Sequence, residues 1–397
     1  MTPERLNIAL IGATGKVAAP AHLNGLRKAL NANLYAVCDI DADRVGELAQ
    51  RTRAKAFTSF EEVLNDPNVD GIDLVTPPFM HAEQTIAAAK AGKHVYCEKP
   101  MAHSLAEATA MIDAHKQAGT TLMIGESYVF HAPIVAARNA IANGDIGIVM
   151  HIRESKGPWL MRTEEATRLG GRSHEANAPW RLDPKLSGGG RFPWMMDHAP
   201  HFFATARYLA TASPGTMSTE VASITAHSQT GITTSERVSG TGGPTGQAIT
   251  NVAWSYENGV DSSWQQIESG GNAVPRVGFR VHIHGSNGSL FVFGEGAGTP
   301  PSEPDVPAVY LYKHGVTKVI QEADPTDRVW LSNNNYYDAS HQAALEHWVD
   351  SILAGEPVRY SGEDGRIELA STLATIKSAE ERRTIEPSEV PQEWTAY

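Results

Sequence analysis

Five short apolar runs organise the first third of the chain. They cover residues 6–11, 34–39, 71–76, 94–97 and 121–125, and helical patterns extend to about residue 30 and over 43–51, 81–91 and 104–118. Short apolar strands that alternate with helices are typical of βαβ units and of a parallel sheet. Ser104 and Glu107 have the spacing of a capping box at the start of the last of these helices. We therefore predict that residues 1–125 form an N-terminal α/β domain of the Rossmann type, with a doubly wound parallel sheet.

The pattern changes after residue 126. A helical pattern over 134–143 leads to a strand near 149–154, a long loop over 156–190 and a helix over about 195–209. Strand patterns then follow one another from 220 to 321, and two helical patterns, over about 338–354 and 363–381, close the chain. Consecutive strands without intervening helices are typical of an antiparallel sheet. We predict that residues 126–397 form a C-terminal α/β domain with a large open, mostly antiparallel sheet.

Composition narrows the class of protein. Of the 397 residues, 41% are hydrophobic and 20% are charged, which is typical of a globular chain. The net charge of −12 and the lack of a basic run argue against a nucleic-acid partner. No run approaches the roughly 20 apolar residues of a membrane helix, and no signal-peptide pattern opens the chain. The two cysteines, Cys38 and Cys97, suit a reducing compartment, so we expect a soluble cytoplasmic protein with no membrane partner.

The first apolar run ends in the turn Gly12-Ala13-Thr14-Gly15-Lys16-Val17, which opens a helical pattern. Small residues at such a turn let backbone N–H groups approach a pyrophosphate at the helix N-terminus. The spacing is irregular, because Thr14 stands where the second glycine of a dinucleotide fingerprint is expected. Asp39, at the end of the second run, is placed to accept ribose hydroxyls and to repel a 2′-phosphate. We predict a site for NAD rather than NADP; the alternative is a tight turn with a capping aspartate.

Three further residues carry candidate chemistry. Lys99, within Glu98-Lys99-Pro100, follows the fourth run, and ligands of open α/β sheets bind beyond the carboxyl ends of strands. Burial or a nearby cation lowers the pKa of a lysine and suits it to proton transfer. Asp197 and His201 are four residues apart, so on a helix they share one face as an acid/base pair. The alternatives for this pair are a zinc site and a helix cap with a buried histidine, and we expect no metal.

These motifs resemble those of the Gfo/Idh/MocA oxidoreductases. Glu98-Lys99-Pro100 is preceded by Thr76-Pro77-Pro78 and His81, and the triple glycine at 188–190 precedes Asp197-x-x-x-His201, as in two signatures of that family. The segment Trp180-Arg181-Leu182-Asp183-Pro184 is similar to one found in sugar-acting members. The resemblance spans about residues 6–380.

The resemblance implies NAD(P)-dependent oxidation of a secondary hydroxyl on a sugar, sugar acid, glycoside or cyclitol. It implies that Lys99 lies near the nicotinamide and the reacting hydroxyl, that His201 is the general base, and that Asp197 orients the substrate or His201. The residues implied to line the cofactor are Thr76, Pro77, His81, Glu98 and Lys99. Those implied to face the substrate are Lys99, Tyr128, Trp180, Arg181, Asp197 and His201. A homodimer or homotetramer that forms through the C-terminal sheet is implied as well.

Two other functions suit the same fold. One is glycoside cleavage in which a tightly held NAD is recycled within each turnover, and the other is a non-catalytic sensor of NAD or a sugar. Net formation of NADH separates the dehydrogenase from the cleaving enzyme. The presence of Lys99, Asp197 and His201 together argues against the sensor.

Overall fold

Two β-sheets dominate the computed structural model of the chain. The structure describes residues 5–15, 18–156, 180, 183–215, 219–230, 247–267, 279–294, 307–322 and 335–397. Among the helices so described, none is both long enough and apolar enough to cross a bilayer.

The first sheet has six parallel strands in the order β3-β2-β1-β4-β5-β6. The strands are β1 (Leu6–Ile11), β2 (Ala32–Cys38), β3 (Lys55–Phe57), β4 (Gly71–Leu74), β5 (His94–Glu98) and β6 (Leu122–Gly125). The helices between them are α1 (Ala19–Lys28), α2 (Ala42–Thr52), α3 (Phe60–Asn65), α4 (His81–Lys90) and α5 (Leu105–Ala118). This topology confirms the prediction of a doubly wound Rossmann sheet. The short elements β3 and α3 were not predicted, because three and six residues are too few to show a period.

The second sheet has eight strands in the order β14-β13-β12-β11-β7-β10-β9-β8. They are β7 (Val149–Lys156), β8 (Val221–Thr230), β9 (Gln247–Tyr256), β10 (Asp261–Ile267), β11 (Phe279–Gly285), β12 (Gly288–Gly294), β13 (Val309–Lys313) and β14 (Val316–Gln321). Six of the seven strand pairs are antiparallel, and only β7 and β10 run parallel. The prediction of a large, mostly antiparallel sheet is therefore confirmed.

Among the described residues, four helices belong to the second part of the chain: α6 (Ala132–Ala142), α7 (Pro193–Ala210), α8 (Asn335–Ala354) and α9 (Gly362–Glu381). The last two return to the first sheet. Helix α8 packs on α1, where a Cβ atom on Gly25 would lie only 2.8 Å from the side chain of Leu345. The ring of Trp348 packs edge-on against Tyr96 of β5, with the ring centroids 5.9 Å apart. The C-terminal helices thus cover the back of the Rossmann sheet.

The helix that follows β5 is capped as its sequence predicts. The hydroxyl of Ser104 accepts a hydrogen bond from the Glu107 backbone N–H at 3.2 Å, and the Glu107 carboxylate accepts one from the Ser104 N–H at 3.2 Å. This reciprocal pairing stabilises α5 by satisfying two of its free amide groups. It also sets the path of the chain immediately after Pro100, beside the candidate catalytic lysine.

Candidate active site

The turn after β1 approaches the end of β4 so closely that only glycine fits at its first position. Gly12 has φ +79°, and a Cβ atom there would lie 3.1 Å from the backbone N of Thr76. The Gly12 N–H donates to the carbonyl oxygen of Cys38 at 2.9 Å, and the Gly15 N–H donates to the carbonyl oxygen of Gly12 at 2.9 Å. Helix α1 begins just beyond, with no side chain capping its N-terminus. A close turn at an uncapped helix N-terminus fits a dinucleotide pyrophosphate.

The carboxylate of Asp39 lies beside this turn. It accepts a hydrogen bond from the Thr14 N–H at 2.9 Å and is partly exposed at the end of β2. The guanidinium of Arg44 contacts the carbonyl oxygen of Thr14 on the same side. Ala13 is buried within the turn, and Lys16 and Val17 lie outside the described residues. The residues present therefore fit a dinucleotide, with a carboxylate at the position where the ribose is expected.

The loop after β4 is tied to the loop after β5. Fully buried His81 lies with Nε2 2.8 Å from the carbonyl oxygen of Thr76 and Nδ1 2.9 Å from that of Pro100. The Thr76 hydroxyl donates to the Gln84 side chain at 2.6 Å, and Pro77 precedes a short 3₁₀ turn. The resemblance implied that His81 lines the cofactor. The side chain has no exposed surface, because it lies buried between the two loops and contacts a carbonyl oxygen of each. Its role in the structure is to hold these loops together.

Lys99 extends from the end of β5 to helix α7. Its Nζ donates to the backbone carbonyl of Asp197 at 2.8 Å and to the Asp197 carboxylate at 3.1 Å. Both side chains are mostly buried, with 10% of Lys99 and 13% of Asp197 exposed. An ion pair with so little exposure is fixed more firmly than a surface pair. Asp197 thus positions the lysine, which is a role that spacing along the helix did not predict.

Pro200 lies inside α7, at the eighth position of a helix that begins at Pro193. Asp197 is the fifth residue of this helix, which is too far from the helix start for it to be a cap. A proline has no N–H to donate to the carbonyl of the preceding turn, so the helical ladder lacks one bond here. The carbonyl that lacks this donor belongs to Met196, four residues before Pro200, and the adjacent Asp197 carbonyl accepts the bond from Lys99.

The partner of His201 is Glu126, not Asp197. Its Nδ1 lies 2.8 and 2.9 Å from the two carboxylate oxygens of Glu126, which directly follows β6. This corrects the expectation of an Asp197–His201 pair, because Lys99 occupies the Asp197 carboxylate. Sequence reasoning missed Glu126, although an acid at the carboxyl end of a parallel strand is a usable signal.

Electrostatics favour a neutral His201. Burial, followed by the positive charges of Lys99 and Lys156, holds the pKa of His201 well below its ordinary value. A carboxylate accepts, so the Nδ1–H donates to Glu126 and Nε2 carries the lone pair. Within the described part of the chain, Nε2 has no hydrogen-bond partner. Burial, and after it the negative charge of Glu368, raises the pKa of Glu126. The proton between His201 and Glu126 therefore lies beside a carboxylate that burial makes a stronger base.

Tyr128 supports His201 from behind. The two rings are stacked with centroids 4.0 Å apart and an interplanar angle of 8°. The Tyr128 hydroxyl accepts a hydrogen bond from Nζ of Lys156 at 2.9 Å. Tyr128 is only 4% exposed, so it packs beneath the histidine instead of forming an open wall for substrate. Lys156, at the end of β7, is a buried cation of the site that sequence reasoning missed.

A cleft lies between the Rossmann loops and the start of α7. Its lining includes Pro78, Pro100, Trp180, Ser187, Pro193, Trp194 and Asp197. The structure thus brings Trp180 to the same cleft as Asp197, as a substrate-facing residue requires. Arg181 lies outside the described residues.

Glu98 points away from this cleft. Its carboxylate accepts a hydrogen bond from Nε2 of His22 at 3.0 Å, behind the strand ends. Burial opposes its ionisation, but the contacts with His22 and His341 hold the pKa of Glu98 well below its ordinary value. Resemblance implied that Glu98 lines the cofactor, whereas the structure places it in a buried polar cluster.

Comparison with known proteins agrees with this architecture. A family model described as an oxidoreductase family with an NAD-binding Rossmann fold matches residues 6–126, and a model of its C-terminal alpha/beta domain matches residues 138–386. Myo-inositol 2-dehydrogenase of Thermotoga maritima is 28% identical over 97% of this chain and 99% of its own length. The 1,5-anhydro-D-fructose reductase of Ensifer adhaerens is 28% identical over 93% and 95%. The crystal structure of a probable dehydrogenase from Thermotoga maritima superposes with a TM-score of 0.73 at 25% identity, covering 97% of this chain and 100% of that one. The chain therefore belongs to the Gfo/Idh/MocA family of oxidoreductases, whose Rossmann domain binds a nicotinamide cofactor.

Proposed function

We propose that this protein is an NAD-dependent dehydrogenase that oxidises a secondary hydroxyl on a ring polyol, either a sugar, glycoside, sugar acid or cyclitol. The observation that carries the proposal is that Lys99, held by Asp197 at the edge of a cleft, lies close enough to His201, held by Glu126, for its charge to lower the pKa of the imidazole. One residue binds an oxygen and the other accepts a proton, which is what oxidation of an alcohol requires. Relatives named for myo-inositol and an anhydro-sugar support the substrate class.

The turn 12–15 and the N-terminus of α1 would hold the pyrophosphate, and Asp39 would accept the ribose hydroxyls. When bound, the nicotinamide supplies the acceptor for the hydride that leaves the substrate carbon. We favour NAD over NADP because the carboxylate of Asp39 lies beside the turn and repels a 2′-phosphate.

The chain's own residues would move the proton. The Lys99 ammonium donates a hydrogen bond to the substrate hydroxyl oxygen and stabilises negative charge there. His201 accepts the hydroxyl proton on Nε2, and Glu126 stabilises the resulting imidazolium through Nδ1. Asp197 keeps Lys99 in place, and Tyr128 packs against the imidazole and restricts its rotation.

A test of the proposal measures NADH formation with a panel of inositols, anhydro-sugars, aldoses, glycosides and sugar acids. We expect turnover with one of these classes, and losses of at least 100-fold in kcat for Lys99→Ala and for His201→Ala. A Tm close to that of wild type for both variants is the control for folding. NADH formation that survives Lys99→Ala contradicts the mechanism. Product formation without net NADH would favour glycoside cleavage with internal recycling of the cofactor.

We also propose assembly through the C-terminal sheet. Met150 on β7 and Val316 and Val319 on β14 are large apolar residues that are exposed in the isolated chain. A continuous apolar surface on a sheet is typical of a protein interface. Light scattering on the purified protein should give a dimer or tetramer, and a monomer at micromolar concentration would refute this proposal.

A further inference from the structure

A second group of ionisable side chains lies behind the catalytic lysine. His22 of α1, Asp73 of β4, Glu98 of β5 and His341 of α8 meet there, and each is less than 10% exposed. Isolated buried charges are strongly destabilising, so such a group persists only when its members pair with one another.

The contacts within this cluster are close. Nδ1 of His22 lies 2.9 and 3.0 Å from the two carboxylate oxygens of Asp73, and Nε2 lies 3.0 Å from Glu98. Nε2 of His341 lies 3.6 Å from the same Glu98 oxygen, and the two imidazole rings are 4.8 Å apart. Because both ring nitrogens of His22 face carboxylates, both donate, and the ring is an imidazolium. Burial opposes this charge, but Asp73 and then Glu98 raise the pKa of His22 to about 10.

The cluster joins helix α1, the end of strand β5 and helix α8. His22 lies in the first turns of α1, whose N-terminus follows the dinucleotide turn. Glu98 ends β5, and the next residue is Lys99. His341 comes from α8, a helix that belongs to the far end of the chain and packs on α1 through Leu345 and Gly25. Glu98, the neighbour of Lys99, thus contacts a helix that is more than 200 residues away in sequence.

We propose that Asp73, His22 and His341 are positioning residues for Lys99, and that they act by fixing the carboxylate of Glu98. The network clamps the end of β5 between α1 and α8, so that Lys99 Nζ reaches the Asp197 carbonyl and carboxylate. Removal of one partner leaves a buried charge uncompensated, and the strand end moves to solvate it. A displacement of about 1 Å at a catalytic group can cost about 100-fold in rate. The inference rests on the proposed function only in treating Lys99 as catalytic.

The central experiment compares His341→Leu with His341→Gln. Leucine removes the ring nitrogen that faces the Glu98 carboxylate at 3.6 Å, whereas glutamine keeps an N–H that can reach it. We expect kcat to fall by about 10- to 100-fold in His341→Leu, with the KM for polyol and the Kd for NAD changed by less than about threefold. His341→Gln should restore kcat to within about fivefold of wild type. His115→Leu removes another buried histidine, whose Nδ1 bonds Thr120, and should lower Tm without lowering kcat.

A second readout does not depend on turnover. Acylation of lysines by a small amine-reactive reagent, followed by peptide mass spectrometry, measures how firmly Lys99 is held, with exposed Lys90 as the internal reference. We expect labelling of Lys99 relative to Lys90 to rise at least threefold in His341→Leu and to stay unchanged in His115→Leu. If His341→Leu does not fold, Glu98→Gln keeps the shape of the cluster and should show the same rise.

Three outcomes would overturn the inference. One is a His341→Leu protein with a lower Tm but wild-type kcat and wild-type Lys99 labelling, which would make the cluster purely structural. Another is loss of kcat that His341→Gln does not rescue. The third is a stoichiometric transition metal in the purified protein that disappears in His341→Leu, because His22, Glu98 and His341 would then be metal ligands. Absence of wild-type turnover with every polyol would refute the proposed function, and the labelling result would still test the positioning role.

Discussion

Replacement of Glu126 by glutamine tests the identity of the catalytic dyad. The substitution keeps the size of the side chain and removes the charge that faces Nδ1 of His201 at 2.8 Å. When His201 accepts the substrate proton it becomes an imidazolium, and the variant lacks the carboxylate that would stabilise this charge. The side chains of His201 and Glu126 are both almost wholly buried. Hydrogen bonds to charged groups contribute about 1.5–3 kcal/mol, and the Coulomb attraction at about 4 Å sets an upper bound of about 4 kcal/mol. We therefore expect kcat to fall by roughly 10- to 900-fold.

The assay is kcat and kcat/KM against pH for wild type and Glu126→Gln, with the polyol that gives turnover. Because the carboxylate favours the imidazolium, its loss should move the acidic limb of kcat/KM to lower pH while lowering the plateau. Glu154→Gln is the matched control. Glu154 is a buried carboxylate on β7 whose oxygens have no partner among the described residues, and burial, with Glu126 next, raises its pKa. Glu154→Gln removes a buried carboxyl group that makes no hydrogen bond to His201, so it should leave kcat within about threefold of wild type.

One result would refute this reasoning. If Glu126→Gln keeps kcat within threefold of wild type and leaves the acidic limb in place, Glu126 is protonated in the working enzyme. The protein would then have no anion beside His201, and Asp197 would become the group to test. Wild-type Tm for Glu126→Gln, measured in the same buffers, ensures that a lower rate does not come from unfolding.

Three further predictions concern stability and cofactor choice. Gly190 has φ +54°, and a Cβ atom there would clash with the carbonyl oxygen of Ala396, so Gly190→Ala should lower the free energy of unfolding by at least about 2 kcal/mol in urea titration; an unchanged midpoint would show that the C-terminal segment does not pack there. His22 has its pKa raised from 6.5 to about 10, so its stabilisation is full below pH 6.5 and is lost as the pH rises through about 10. Thermal unfolding of wild type should show that loss and His22→Gln should not; parallel curves would contradict it. Asp39→Ser should raise the ratio of kcat/KM for NADP to that for NAD at least tenfold, and an unchanged ratio would show that Asp39 does not select the cofactor.

Much of the fold was predictable because it depends on local patterns. The strand and helix periods around β1, β2, β4, β5 and β6 predicted the parallel sheet, and the run of strands after 220 predicted the antiparallel one. The capping box at Ser104 and Glu107 was also predicted, since it needs only residues three apart. Elements of three to six residues, such as β3 and α3, were missed because no period can be measured over so few positions.

The candidate site was predicted in its residues but not in its pairing. Lys99 and His201 were identified from the sequence, and Asp197, which holds Lys99, lines the cleft. Their partners come from elsewhere in the chain: Asp197 is 98 residues from Lys99, and Glu126 is 75 residues from His201. Helical spacing had suggested that Asp197 pairs with His201. Spacing shows only which residues share a helix face, and it does not show which side chain from elsewhere lies beside each of them.

The sequence by itself determined the class of sheet, the position of the dinucleotide turn and the identity of the lysine and the histidine. These follow from periodicity, from glycine at a crowded turn and from chemistry at strand ends, all of which are local. Only the tertiary structure decided that Glu126 serves His201, that Lys156 and Tyr128 support it, and that His22 and His341 hold Glu98 behind Lys99. A buried charge needs a partner, and the packing of segments that are distant in sequence determines which residue that partner is.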